Sequence, residues 1–410
     1  MIAGVNRSGR LLEGAGYQFL LGVALLLALY SSLQWRARLG EAGDGHLGPL
    51  GIVNLVFFVG TSAGAILVRG LAHALGVRRV RPLVHLTQLV AVGGLVLAAM
   101  FVLLDLARPA RLAHADHVGV PLTWDVLIAV TYFLIVAALG YLSSRPDVVA
   151  WVRAPASIRR KLKLFRVLRR STSPAELAWE RRTLKRVATA ALPPALLLYA
   201  ISALILSAVR VRPSWLASLI APLFVVPTLV SGLALWTVVA GLGRARLGPA
   251  AGEEAIRRLG RALFYMIPPL GLYLFGELLI VAGAAGIEGR HIASELLVGD
   301  YTPLVLGGFV GGLLLPFALL ALPRTRTPRG IGLAAALVVA GVLVARWHLI
   351  VAGAMGHAHR PSAVGGYVPG WPELLYTAQA YALALLVGAV SLRGLGTGRR
   401  MPTRRSSGSA

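Results

Sequence analysis

Apolar residues in this chain come in long blocks rather than at the three- or two-residue spacing of a half-buried soluble element. Ten blocks stand out, at residues 16–35, 49–76, 83–106, 122–143, 188–209, 215–242, 261–287, 301–322, 330–356 and 371–392. Each is about 20 residues or longer, the length of helix that crosses a hydrocarbon core about 30 Å thick. Open β structure leaves backbone groups unpaired in lipid, and blocks this long exceed a barrel strand. The pattern therefore predicts an all-α integral membrane protein of about ten transmembrane helices.

The layout that follows has five parts: an N-terminal tail at 1–15, helices one to four within 16–143, a non-spanning stretch at 144–187, helices five to ten within 188–392, and a tail at 393–410. The first apolar block is preceded by Arg7 and Arg10, is long, and has no small-residue cleavage site after it, so it reads as a signal anchor. The last residues are rich in Ser, Gly and Arg and are expected to be disordered.

Composition agrees with the blocks. Hydrophobic residues make up 57% of the chain, and the mean hydropathy is +0.74. The net charge of +25, from 41 basic and 16 acidic residues, would point to nucleic acid on a soluble protein. On a membrane protein it points instead to the excess of cations on cytoplasmic loops. With the N-terminus placed in the cytoplasm, the stretch from Arg145 to Arg186 carries 13 Lys and Arg, and no outer loop carries more than two. That bias supports both termini in the cytoplasm of a bacterial inner membrane and ten as the number of spans. Within the basic stretch, Ile158, Leu162, Phe165 and Leu168 recur at helical spacing among cations. This reads either as an amphipathic helix on anionic membrane lipid or as a loop that only sets topology. No nucleic-acid partner is expected.

Ionisable residues inside spans are the informative ones, since each costs about 2.5–3.5 kcal/mol at a helix centre on insertion scales. The candidates are Arg69, His85, Asp105, Asp125, Glu277, Arg346 and His348. Asp105 and Arg108 are three residues apart and can pair at a helix end that Pro109 stops. Asp125 can equally be a first-turn acid favoured by the helix dipole. Glu277 has Tyr273 one turn before it on the same face, and Arg346 and His348 lie at similar depth. Five of the seven fall in the outer half of the bilayer, on four helices. Carboxylates, an arginine and an imidazole at one depth point to a proton-handling site, as quinol oxidation would need. Arg346 and His348 can also serve merely to pair with the acids. His85 reads as a structural histidine near the cytoplasm, and Arg69 as a cation that snorkels to the headgroups.

The chain has no cysteine, which excludes cysteine-held iron–sulfur clusters and covalently attached haem. Of nine histidines only His85 and His348 lie well inside spans, at opposite depths, which disfavours a haem pair. No metal site is expected, so a redox role would make this a subunit without its own redox centre. A Gly60–Gly64 pair in the second block predicts close helix packing.

Several of these segments, in this order, resemble the NrfD/polysulfide-reductase family of quinone-interacting membrane subunits and the related subunits of alternative complex III. They are Phe57 to Ala65 with Arg69; Leu104-Asp105-Leu106-Ala107-Arg108-Pro109-Ala110-Arg111; Pro121 to Asp125 with Tyr132; and Arg346-Trp347 followed by Tyr367, Pro369 and Glu373. Ala107 replaces a usual Gly and Thr123 a usual Ser. The resemblance implies two four-helix bundles with two flanking helices, and a site for ubiquinone or menaquinone near the outer face. It also implies an extracytoplasmic iron–sulfur partner, backed by a molybdenum or multihaem subunit. The residues assigned to quinone and protons are Asp105, Arg108, Asp125, Glu277, Arg346 and His348, with Tyr132, Tyr273, His85 and Glu373 as secondary candidates. The rival reading is a secondary transporter using buried carboxylates, with helices broken near Pro227, Pro268-Pro269 or Pro316.

Overall fold

The computed structural model describes residues 49–74, 84–106, 119–152, 174–199, 214–247, 249–284, 290, 293–294, 296–299, 301–355, 369–371, 373–374, 377–378 and 380–381. Among the described residues there are helices and no strands. The principal helices are α1 (Pro49–Ala74), α2 (Val84–Leu106), α3 (Gly119–Val152), α4 (Pro174–Ala190), α5 (Ser214–Leu247) and α6 (Pro249–Ala284). They are followed by α7 (Thr302–Phe309), a π-helical turn at Val310–Leu314, α8 (Leu315–Ala321) and α9 (Pro328–Met355). Across a turn at Ala191, backbone bonds from Ala191 to Val187 and from Ala195 to Ala191 link α4 to the helical stretch 192–199. Five segments are long and apolar enough to span a membrane: Leu50–His73, Val225–Leu242, Gly252–Leu279, Thr302–Ala321 and Pro328–Trp347. Thr87–Phe101 and Leu127–Ser143 are shorter apolar stretches among the described residues. The first expected span, 16–35, lies outside them, as does the amphipathic pattern at 158–168.

Several helices outrun the apolar blocks that predict them. α3 continues to Val152, past the expected end at 143, and α6 starts at Pro249, well before 261. Helix propagation stops where a breaker or cap stops it, not where lipid ends. α5 ends at Leu247 and Pro249 opens α6, a first-turn position where the missing N–H of proline costs nothing. The early turns of α6 carry ion pairs at four-residue spacing, Glu253–Arg257 at 3.0 Å and Glu254–Arg258 at 2.7 Å. At the end of α8 the chain turns back, and Arg326 donates to the Leu320 and Ala321 carbonyls at 2.7 and 2.9 Å. Those carbonyls would otherwise end the helix unpaired.

Two cores result. The first gathers α1, α2, α3 and the stretch around Ala188 to Tyr199; the second gathers α5, α6, α8 and α9. α1, α5 and α9 touch one another and form the spine between the cores. α1 is the most enclosed helix, with 83% of its span buried, whereas the spans of α6 and of α7–α8 are only 22% buried. The outer face of α6 presents Tyr265, Leu272, Phe275 and Leu279, a helical stripe of apolar side chains suited to lipid. Polarity is thus inverted relative to a soluble bundle: four polar side chains of α1, Asn54, Thr61, Ser62 and Arg69, are buried.

Close backbone approach makes the spine possible. A Cβ on Gly64 would overlap the Thr228 carbonyl, and one on Gly232 would overlap the backbone of Gly64. Here the Gly60–Gly64 pair has a specific job: Gly64 seats α1 against α5, and Gly60 leaves room for a tyrosine described below.

Candidate functional site

Around the spine five polar side chains from four segments come together, four of them buried. Glu277 on α6 and Arg346 on α9 are 7% and 3% exposed, and the Arg346 charge acts on the Glu277 carboxylate. Tyr273, one turn before Glu277, donates its hydroxyl to the carboxylate. Across the spine, Tyr199 extends from the first core; the Arg346 guanidinium carbon lies 5.6 Å from its ring centroid. Arg346 also donates to the Tyr199 oxygen, and Tyr199 hydrogen-bonds Thr228 of α5. The polar groups therefore run in the order Tyr273, Glu277, Arg346, Tyr199 and Thr228, from one core to the other.

Local sequence explains each position. Tyr199 can press against α1 only because residue 60 is glycine: a Cβ there would lie 2.9 Å from the Tyr199 hydroxyl oxygen. Tyr273 and Glu277 share a face because they are four residues apart in an unbroken helix. Nearby Trp347 packs its ring on Tyr301, centroid to centroid 5.2 Å, and so pins the segment of α9 that carries Arg346. A buried carboxylate and guanidinium are each costly alone, and each is made tolerable by the other and by hydrogen bonds to their remaining polar atoms. The cluster holds a carboxylate that accepts a proton, a phenol that donates one, and a fixed cation beside both.

Of the residues assigned from sequence, the structure brings Glu277, Tyr273 and Arg346 together. Tyr132 is buried elsewhere, in the first core, with its hydroxyl 2.9 Å from Ser62. Ser62 spends its proton on the Ala91 carbonyl at 2.7 Å, so Tyr132 is the donor of that pair. Glu373 sits in the C-terminal segment whose Thr377 accepts a 2.9 Å bond from Asn54 near the start of α1. The backbones of His85, Asp105, Asp125 and His348 lie in α2, α2, α3 and α9, while their side chains, and all of Arg108, lie outside the described residues.

One expectation is corrected outright. Arg69 does not snorkel to headgroups: it is 1% exposed and donates to Gln88 and Ser143, both at 2.6 Å. Its guanidinium points into the first core because those partners lie on α2 and α3, out of sight of any pattern along α1. The helix breaks expected for a transporter at Pro227 and Pro268-Pro269 are also missing, since α5 and α6 run through these prolines. A departure from α geometry does precede Pro316, as the π turn Val310–Leu314. Tyr199 and Thr228 are functional candidates that sequence reasoning missed. The one available signal was a tyrosine in an otherwise apolar span, which has many innocent explanations.

Comparison with known proteins agrees with this membrane architecture. The family model for polysulphide reductase, NrfD, matches residues 49–358. A Halobacterium salinarum protein, provisionally named as a membrane subunit of dimethyl sulfoxide reductase, is 28% identical over 399 residues, covering 93% of this chain and 89% of its own. A selenate reductase subunit from Mesobacillus selenatarsenatis is 24% identical over 337 residues, covering 80% of this chain and 78% of its own.

Proposed function

This chain belongs to the polysulphide reductase NrfD family of multi-pass membrane proteins, and on that premise we propose that it is the quinone-binding membrane subunit of a multi-subunit respiratory-type oxidoreductase. Two relatives are named as subunits of dimethyl sulfoxide and selenate reductases. By the same organisation, this subunit anchors an extracytoplasmic iron–sulfur protein, itself backed by a molybdenum or multihaem subunit. The membrane is the bacterial inner membrane, crossed by ten helices in two four-helix bundles and a flanking pair, with both termini in the cytoplasm.

The observation that carries the reading is the buried Glu277–Arg346 pair with Tyr273 bonded to the carboxylate. Oxidation of a quinol releases two electrons and two protons. The electrons leave to the iron–sulfur partner, and the protons need an acceptor in a site that excludes water. Glu277 accepts a proton at its carboxylate oxygen, and Tyr273, hydrogen-bonded to it, holds the quinol hydroxyl or passes the proton on. Arg346 offsets the negative charge of Glu277 and fixes its orientation. Asp105, oriented by Arg108, and Asp125 and His348 extend the route toward the outer surface. For quinone reduction the same groups work in reverse.

The test uses the intact complex with a soluble quinol. Glu277→Gln keeps the shape and one hydrogen-bonding oxygen but cannot take up the proton, so quinol-dependent electron transfer should fall about 100-fold. Reduction of the partner's centres by a small chemical reductant should be unchanged. Undiminished quinol oxidation in Glu277→Gln would refute the assignment, and isolation of the chain without any redox partner would refute the subunit role. Continuous helices at Pro227 and Pro268-Pro269 give transport less to work with.

A further inference from the structure

The first core contains polar side chains in two rungs. One rung joins Ser62 of α1, the Ala91 carbonyl of α2 and Tyr132 of α3. The other joins Arg69 of α1, Gln88 of α2 and Ser143 of α3. The rungs are seven residues apart on α1, about 10 Å along the helix axis. Between them the Val136 carbonyl accepts a 2.7 Å bond from Gln88. Beyond the first rung, Thr61 and Asn54 continue the buried polar face of α1, and Asn54 reaches Thr377. Buried polar side chains therefore recur as a seam along α1 from Asn54 to Arg69, about 22 Å of helix. Such a seam, once wetted, is a path for protons.

At the end beside α4, the seam meets a charge. Arg69 is held rigidly: both terminal nitrogens are bonded, Gln88 and Ser143 are themselves tied to the Val136 and Leu139 carbonyls, and the Arg69 carbonyl is engaged by His73 at 2.9 Å. Space is closed around it. A Cβ on Gly140 would lie 3.0 Å from the Gln88 amide nitrogen, and one on Gly70 would lie 2.6 Å from Leu192. Its bonded partners are neutral, and its buried Nε has no partner among the described residues. This differs from Arg346, whose charge is offset by a carboxylate. A guanidinium fixed in a low-dielectric core with no carboxylate partner among the described residues repels any cation that approaches along the seam, as a pore-lining arginine does in water channels that exclude protons. The exposed Arg182, Lys185 and Arg186 of α4 lie at the same end and add to the field.

We propose that Arg69 is an electrostatic plug that seals the first helix bundle against proton leak from the α4 side. Quinone chemistry plays no part in this argument, so its test stands apart from the function proposed above. The full chain is reconstituted in vesicles with an entrapped pH dye, and a potassium diffusion potential drives protons inward. Wild type and Arg69→Lys, which keeps the charge, should hold the gradient. Arg69→Gln keeps hydrogen-bonding capacity but not charge, and should admit protons about tenfold faster. Adding Tyr132→Phe removes a hydroxyl from the seam and should return Arg69→Gln most of the way to wild type. The proposal is overturned if Arg69→Gln is as tight as wild type, if Arg69→Lys leaks equally, or if Tyr132→Phe has no effect on the leak. It is also overturned if the leak passes sodium or entrapped dye alongside protons, since that would mean lost packing.

Discussion

Among the described residues two arginines are buried, and they are buried differently. Arg346 lies on the spine between the cores with a carboxylate on one side and an aromatic ring on the other. Arg69 lies inside one core with an amide and a hydroxyl. The same side chain is thus half of a neutral pair in one place and a bare positive charge in the other. When Glu277 takes up a proton, Arg346 keeps the Tyr199 oxygen and ring as partners. A lone cation held by neutral groups has no such freedom and can only repel. Burial alone does not identify chemistry; what surrounds the buried charge does.

That contrast can be broken most severely at Arg346. Arg346→Gln strands Glu277 as a buried charge without a counterion, and should cost about 3–5 kcal/mol of stability. It should also abolish quinol-dependent electron transfer. Thermal unfolding in detergent, followed by loss of helical signal, reads the first effect. Adding Glu277→Gln removes the stranded charge, so the double variant should recover about half of the lost stability while staying inactive. If the double variant is no more stable than Arg346→Gln, the two residues are not a pair. A smaller change tests the frame that holds them. Gly64→Val drives a side chain into the Thr228 carbonyl and should cost about 1–3 kcal/mol by parting α1 from α5. Because Gly60 and Tyr199 lie along the same crossing, activity should fall with it.

Tyr132→Phe sharpens the comparison from the other side. It removes one buried hydrogen bond, worth about 1 kcal/mol, in the core that holds Arg69. Stability should drop slightly, and quinol oxidation should be unaltered; a large loss of turnover would move the redox site into the first core. The smallest effect belongs to the exposed ion pairs at the start of α6. Glu254→Ala should leave the unfolding temperature unchanged within error, because a solvated pair at helical spacing contributes little.

Much of the architecture was legible along the chain. The positions of α1, α2, α5 and α9 follow apolar blocks directly. The Tyr273–Glu277 spacing placed both on one helix face, and the Gly60–Gly64 pair indicated close packing. The ends of α3 and α6 were not legible, because they lie beyond the apolar blocks in turns held by propensity and surface ion pairs. Nor was the role of Tyr199, whose place depends on a glycine 139 positions away in the chain.

The order of residues alone fixes the class of protein, the lipid-facing character of its helices and its short list of ionisable residues. Hydropathy and length act on each helix independently, so one dimension is enough for them. Which of those residues meet is a matter of three-dimensional packing. Each helix can rotate about its axis and cross its neighbour in several ways, and glycine contacts such as Gly64 against Thr228 select one. That selection turned Arg346 toward Glu277 and Tyr199, and turned Arg69 away from the headgroups and into the core.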